Sequence, residues 1–186
     1  MPDASSADSP EAVFGMRWGI KGSFIDYVRQ TPDGKGWLGD GAVPVGEYEI
    51  LFALKETGAR PTTASGTERV WAFSGEARFS GHFGMLYVSL AAPELTRRDG
   101  STELTVVAPF SGTGELERLP LVTLRLEQQP APDGIERWRG TDVRLTEAGA
   151  GLFNDVYPPG EPFEPLTVML PALDDGWRGG PGGAQS

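Results

Sequence analysis

Hydrophobic and polar residues alternate with period two along Trp71–Phe79. Trp71, Phe73, Gly75, Ala77 and Phe79 take one parity, and Ala72, Ser74, Glu76 and Arg78 take the other. Successive side chains leave a strand on opposite sides, so this alternation predicts a strand with one buried face. After the turn Ser80-Gly-His-Phe-Gly84 the run Leu86–Leu90 alternates again. Glu47–Glu56, Glu103–Val107, Leu121–Glu127, Glu136–Leu145 and Leu166–Leu170 read as further strands. Turn clusters such as Arg98-Asp-Gly-Ser101 and Pro130-Ala-Pro-Asp-Gly134 separate them. No repeat of fixed period is visible. Short strands punctuated by glycine and proline predict a mainly β domain, an antiparallel two-sheet sandwich or a barrel-like arrangement.

Two segments break the alternation and predict short helices. Ile20, Phe24, Tyr27 and Val28 are spaced for one helix face within Gly19–Gln30, and Thr31-Pro32-Asp-Gly34 stops that helix. The second begins at Thr146, a suitable N-cap, with Glu147 well placed against the helix dipole. It runs through Leu152-Phe153 and must end before Pro158. Helices this brief are marginal alone and must dock on the sheets.

The chain has 186 residues and no cysteine. One domain is expected, large enough to bury a core without disulfides. Zinc–thiolate sites, iron–sulfur clusters and cysteine nucleophiles are excluded. The acidic, polar stretch 1–13 reads as a disordered segment, 14–173 as the folded domain, and the glycine-rich 174–186 as a flexible tail. The net charge of −10 argues against a nucleic-acid partner. No stretch approaches the ~20 apolar residues of a membrane-spanning helix, and the start lacks the basic and apolar regions of a signal peptide. As it stands the chain is expected in the cytoplasm; a trimmed chain could come from the cell surface or outside.

Conventional catalytic patterns are scarce. His82 is the single histidine, so any histidine-dependent chemistry must use it. Ser23, Ser80 and Asp26 could be offered as its partners, but there is no nucleophile elbow and no phosphate-binding glycine loop. The carboxylates are scattered over strands and turns, where a solvated face is the ordinary reading. A lone histidine in a turn is ordinarily a surface or packing residue, and Tyr27 on an apolar helix face is ordinarily core. Tyr48, Tyr87, Trp37, Trp71 and Trp138 read as structural. Arg17, Lys21 and Arg29 fit a solvated helix face, or a set of cations for an anionic ligand.

Three blocks carry more information together than apart. Trp18-Gly-Ile-Lys-Gly-Ser-Phe-Ile-Asp-Tyr-Val28 is similar to the opening of the HtaA domain, a haem-binding module of actinobacterial haem uptake. Phe73-Ser-Gly-Glu-Ala-Arg-Phe-Ser-Gly-His-Phe-Gly84 resembles its strand and glycine-histidine turn. Leu145-Thr-Glu-Ala-Gly-Ala-Gly-Leu-Phe-Asn-Asp-Val-Tyr-Pro-Pro-Gly160, followed by Phe163-Glu-Pro-Leu-Thr-Val168, resembles its third block. The blocks fall in the family's order.

The resemblance implies one domain of two antiparallel sheets with two short helices, holding ferric haem b. It implies Tyr27 as the axial iron ligand, His82 as that tyrosine's hydrogen-bond partner, and Tyr157 as a third residue linked to the site. Val156 stands where the family usually has an aromatic residue. Haem is a flat apolar disc with two carboxylates, so it wants an aromatic slot and a polar rim. Trp18, Phe24, Phe83 and Tyr157 are candidate walls, with Ser23 beside them in the first block. Tyrosine is an attested haem ligand, favoured by ferric charge and a neighbouring proton acceptor such as histidine. The expectation is a haem carrier, buffer or trafficking protein with a donor or acceptor protein as partner, more plausibly no enzyme. The alternatives are a peroxidase-like haem enzyme, or a β-rich interaction module without haem.

Overall fold

The computed structural model describes residues 13–61, 66–109 and 117–172. The segments expected to be disordered or flexible, 1–13 and 174–186, lie almost wholly outside the described residues. Among the described residues eleven strands form one antiparallel sheet: β1 (Gly15–Trp18), β2 (Lys35–Gly39), β3 (Ala42–Val45), β4 (Glu49–Pro61), β5 (Thr67–Phe73), β6 (Glu76–Gly81), β7 (Leu86–Arg98), β8 (Ser101–Val107), β9 (Arg118–Gln129), β10 (Ile135–Leu145) and β11 (Leu166–Pro171). Helix α1 is Gly22–Gln30, α2 is Glu147–Leu152, and His82–Gly84 forms a single 3-10 turn.

Strands β7-β5-β4-β1-β11-β10-β9-β8 run in that order, and β8 pairs back onto β7. The sheet thus closes into an eight-stranded antiparallel barrel, so barrel-like is the right half of the sequence expectation. Alternation fills it. Trp71, Leu95, Leu104 and Val122 are cross-strand neighbours on one wall. Phe52, Met16, Val168 and Trp138 are neighbours on the other. All eight are buried, and the Trp71 and Trp138 rings meet with centroids 5.8 Å apart.

Long strand β7 is shared. Its second half, Glu94–Arg98, belongs to the barrel, while Leu86–Ala91 pairs with β6. The break lies at a bulge where Ala92 adopts φ 46° ahead of Pro93. Strands β6 and β2 extend the sheet from this first half, and β3 adds to β4. This side lobe carries α1. Phe24 packs between Phe79 of β6 and Phe153 after α2, with centroids 5.2 and 5.1 Å away. Thr146 caps α2 as the sequence predicts, its Oγ1 accepting from the Gly149 N–H at 2.8 Å.

The single strand expected over Trp71–Phe79 is two strands, because the chain reverses at Ser74-Gly75, where Gly75 sits at φ 120°. The alternation survives because both strands bury the same parity. Ile20 is buried but lies ahead of α1 at φ 58°, so the helix begins later than its apolar spacing predicts.

Candidate functional site

Helix α1 buries Phe24, Ile25 and Val28 against the lobe. Tyr27 falls between that stripe and solvent and is 46% exposed. Its hydroxyl meets His82 Nε2 in a short hydrogen bond, with the ring centroids 5.5 Å apart. The two residues are 55 positions apart in the chain, so the fold makes this pair. Tyr27 is therefore no core residue, the ordinary reading of a tyrosine on such a helix. Ser23, one turn earlier on α1, is exposed on the same side.

The turn bearing His82 is unusual backbone. His82, Phe83 and Gly84 have φ of 50°, 55° and 89°, three left-handed residues in succession, a region disfavoured for side chains other than glycine. None of the three is buried. Asp33, just past the end of α1, captures the turn from outside: Oδ1 accepts from the His82 N–H at 3.0 Å and Oδ2 from the Phe83 N–H at 2.6 Å. The Phe83 amide above all holds the Asp33 carboxyl below its ordinary value.

Beside His82 in the chain stand exposed apolar side chains. Phe83 is 96% exposed and Met85 78%, and Asn154 Nδ2 reaches the Met85 carbonyl at 3.4 Å, bringing the loop after α2 alongside. That loop carries Val156, 66% exposed. Tyr157 is partly buried, its ring edge-on to Phe153 and Phe163 with Lys21 Nζ 5.2 Å from its centre. Trp18 and Phe24, expected as pocket walls, are buried beneath the face instead; Trp18 Nε1 donates to the Glu164 carbonyl at 2.9 Å. Phe24 belongs to the buried stripe that anchors α1, and the Trp18 ring packs near Phe163. The structure thus brings Tyr27 to His82, with Ser23 one turn earlier on α1 and Phe83 next to His82, while Tyr157 packs against Phe153 and Phe163.

Two of the three cations offered for an anionic ligand are engaged, and the third, Arg17, is exposed on β1. Lys21 Nζ pairs with Glu161 at 2.9 Å and donates to the Pro162 carbonyl at 3.0 Å. Arg29 pairs with Glu47 at 3.4 Å and lies over the Tyr48 ring. Tyr48 itself donates to Asp26 at 2.9 Å, a bond that pushes its phenol upward in pKa and commits it elsewhere. Trp37, expected in the packing, is half exposed on β2 with Arg78 over its ring.

Two concavities lie away from this pair. One of about 560 Å³ on the outer face of the barrel is lined by Arg60, Glu68, Glu94, Arg98, Glu103 and Arg118 among others. Its charges largely satisfy each other through ion pairs of 2.9 to 4.0 Å. The other, about 230 Å³, lies under the opposite side of α1 between Val28, Trp37, Tyr48 and Phe79. Size alone would favour the first, but the phenol–imidazole pair is the more distinctive chemistry. Among the described residues no three His, Cys, Asp or Glu side chains converge to hold a bare metal ion, and no helix is long and apolar enough to cross a membrane.

Comparison with known proteins adds context to this geometry. The HtaA family model matches residues 14–169. The N-terminal domain of HtaA from Corynebacterium glutamicum superposes with a TM-score of 0.68 at 25% identity, covering 88% of this chain and 98% of that one. The C-terminal domain of the same protein gives 0.66 at 23% identity, covering 84% and 96%. The haem-binding protein HtaB of that organism gives 0.61 at 15% identity, covering 84% and 92%. No curated protein matches the chain.

Proposed function

Because the chain belongs to the HtaA family, we propose that it binds haem on the open face of α1, with Tyr27 as the protein ligand of the iron and His82 as its support. The observation that carries this reading is the hydrogen bond between a half-exposed tyrosine and the chain's single histidine, beside which stand exposed apolar side chains. The donor set suits the group. A macrocycle needs apolar surface to lie on, which Phe83, Met85 and Val156 offer, and one oxygen or nitrogen donor to the metal. Bound haem b would supply a ferric centre that favours an anionic oxygen ligand.

The chain's own residues then divide the work. A neutral imidazole accepts the Tyr27 hydroxyl hydrogen at Nε2, leaving density on the phenol oxygen; protonated on both nitrogens it has no lone pair to do so. Phe83 covers apolar surface, and Ser23 offers a hydroxyl to a carboxylate edge. Tyr157 is the third residue in this reading, packed on Phe153 and Phe163, while Phe24 anchors α1 against Phe79 and Phe153 and Trp18 stays in the core. The sole histidine faces Tyr27, so no second histidine is at hand for peroxide chemistry, and the reading is a carrier or buffer that exchanges haem with another protein.

The test is hemin titration of the native chain and Tyr27→Phe. The substitution removes one oxygen and keeps the ring. The native protein is expected to take one haem with a phenolate charge-transfer band. The variant should lose that band and more than the roughly 10–100-fold in affinity typical of losing a residue behind a metal ligand. An unchanged spectrum in Tyr27→Phe defeats the assignment.

A further inference from the structure

Side chains that meet in a hydrogen bond at the surface compete with water and lose rotamer freedom, so such a contact is weakly specified unless something else fixes the partners. Tyr27 is fixed by α1, whose buried stripe is anchored in the lobe. Nothing comparable anchors His82 through its own side chain. Its turn is left-handed at both non-glycine positions, buries none of its residues, and has one internal backbone bond, Met85 N–H to the His82 carbonyl at 3.1 Å. A turn of this kind needs an external constraint to persist.

Asp33 is placed to supply it. Two successive amides in a left-handed run form a concavity for an anion, and its carboxylate fills that concavity with one oxygen per N–H. Asp33 is tied in turn to α1. The Thr31 N–H and Oγ1 both donate to the Tyr27 carbonyl, at 3.1 and 2.8 Å, and the Gly34 N–H donates to the Thr31 carbonyl at 2.8 Å. The tight turn Thr31–Gly34 also lies directly on Gly81, where a Cβ would meet Thr31 Cγ2 at 3.2 Å. The same short piece of chain that carries Tyr27 thus grips the turn that carries His82. The circuit is Tyr27 to Thr31 to Asp33, across to the His82 and Phe83 amides, and back from the imidazole to the Tyr27 hydroxyl.

We propose that Asp33 is a positioning residue that sets the His82 imidazole against Tyr27 by clamping the left-handed turn through its two backbone amides. The inference deepens the haem reading, since it assigns what controls the support of the ligand, but the clamp is a property of the protein before any ligand arrives. Asp33→Ala removes both acceptors. Asp33→Asn keeps one carbonyl oxygen and presents an amide to the other N–H, so it should fall between.

The experiment pairs hemin affinity with nitrogen-15 NMR of the ligand-free full-length protein for the native chain, Asp33→Ala, Asp33→Asn, His82→Ala and Asp33→Ala/His82→Ala. The Asp33 variants are expected to shift the His82 and Phe83 amides and the His82 imidazole nitrogens while leaving core resonances in place. Asp33→Ala should lower hemin affinity by roughly tenfold, the lower end of the range for residues behind a metal ligand. In the His82→Ala background the same change should cost no more than about twofold, because the two residues act in series. Unmoved imidazole resonances in Asp33→Ala, or a full tenfold loss still present without His82, overturns the proposal. If the native protein takes up no hemin, the haem reading fails by itself, and the imidazole resonances still decide the clamp.

Discussion

The barrel interior and the face of α1 solve opposite problems with different forces. Inside the barrel, Trp71 and Trp138 meet across the lumen, and Arg69 lies over both rings, 4.7 and 5.6 Å from their centroids. Glu136 accepts from Arg69 at 3.1 Å and from Trp138 Nε1 at 2.7 Å, so these three side chains are joined through one carboxylate. Apolar area and close packing dominate there, and among the described residues only Trp71 Nε1 and Thr102 Oγ1 are buried side-chain polar atoms without a hydrogen-bond partner. On α1 the order is reversed. Tyr27, Phe83 and Met85 are exposed, and their arrangement rests on directional bonds from Asp33, Thr31 and His82. An exposed surface forgoes packing, and hydrogen bonds to backbone substitute for it.

If the two regions are separable in this way, core damage and site damage should show up in different measurements. The largest effect is expected from Phe73→Ala. Phe73 is 1% exposed, and removing a buried phenyl ring leaves a cavity worth about 3–5 kcal/mol. For a domain of this size that is a fall in Tm on the order of 10 °C. Whatever fraction remains folded should still show the native haem spectrum. Loss of the spectrum from folded protein would mean the barrel shapes the site more directly than the contacts indicate.

His82→Ala is expected to do the reverse. Hemin affinity should fall 10–100-fold, with ligation by Tyr27 retained. Thermal stability should move little, since the imidazole is only partly buried and the left-handed φ at position 82 strains histidine and alanine alike through their Cβ. Paired melting curves and hemin titrations check both halves. A core-sized drop in Tm would show that the turn is part of the folding unit.

The same contrast governs what the sequence disclosed. Strands β4 to β11 announce themselves through alternation because one of their faces is buried, and the N-cap Thr146 is visible for a local reason. Strands β1, β2 and β3 were not legible. β1 is four residues, β2 is an edge strand of mostly exposed residues with two glycines, and β3 contains Pro44, tolerable because that strand lies on an edge. Closure of the barrel depends on the β7–β8 pairing and the bulge in β7, both long-range features. At the site, Tyr27 and His82 were reached through resemblance to the HtaA family. Asp33 was visible only as part of a helix stop, and nothing local announces that a carboxylate in a Pro-Asp-Gly turn will find two amides 49 and 50 residues away. Trp18 and Phe24, expected as walls, are buried in the core, and aromatic residues near a ligand motif look the same in sequence whether they face the ligand or the core.

Two carboxylates sharpen the comparison at its smallest scale. Asp33 is stabilised as an anion by the amides it holds, whereas burial on the barrel's outer face pushes the Glu103 carboxyl upward, with Arg98 opposing and Glu68 reinforcing. Between the ordinary value of 4.5 and its raised folded value, Glu103 binds more protons in the folded state than in the unfolded chain. Stability therefore falls as pH rises through that window and levels off above it. Glu103→Gln has no proton to lose, so it should escape this penalty and exceed the native protein in stability at neutral pH. The gain should be below about 1 kcal/mol, because Glu103 is only part-buried and solvent screens it. Below about pH 4, where the native carboxyl is protonated in both states, the advantage should vanish. Urea unfolding midpoints at neutral and acid pH measure this directly. A glutamine variant no more stable at neutral pH would mean that attraction to Arg98 outweighs desolvation. A change of more than about twofold in hemin affinity would break the separation of the two regions, because residues this independent should not couple.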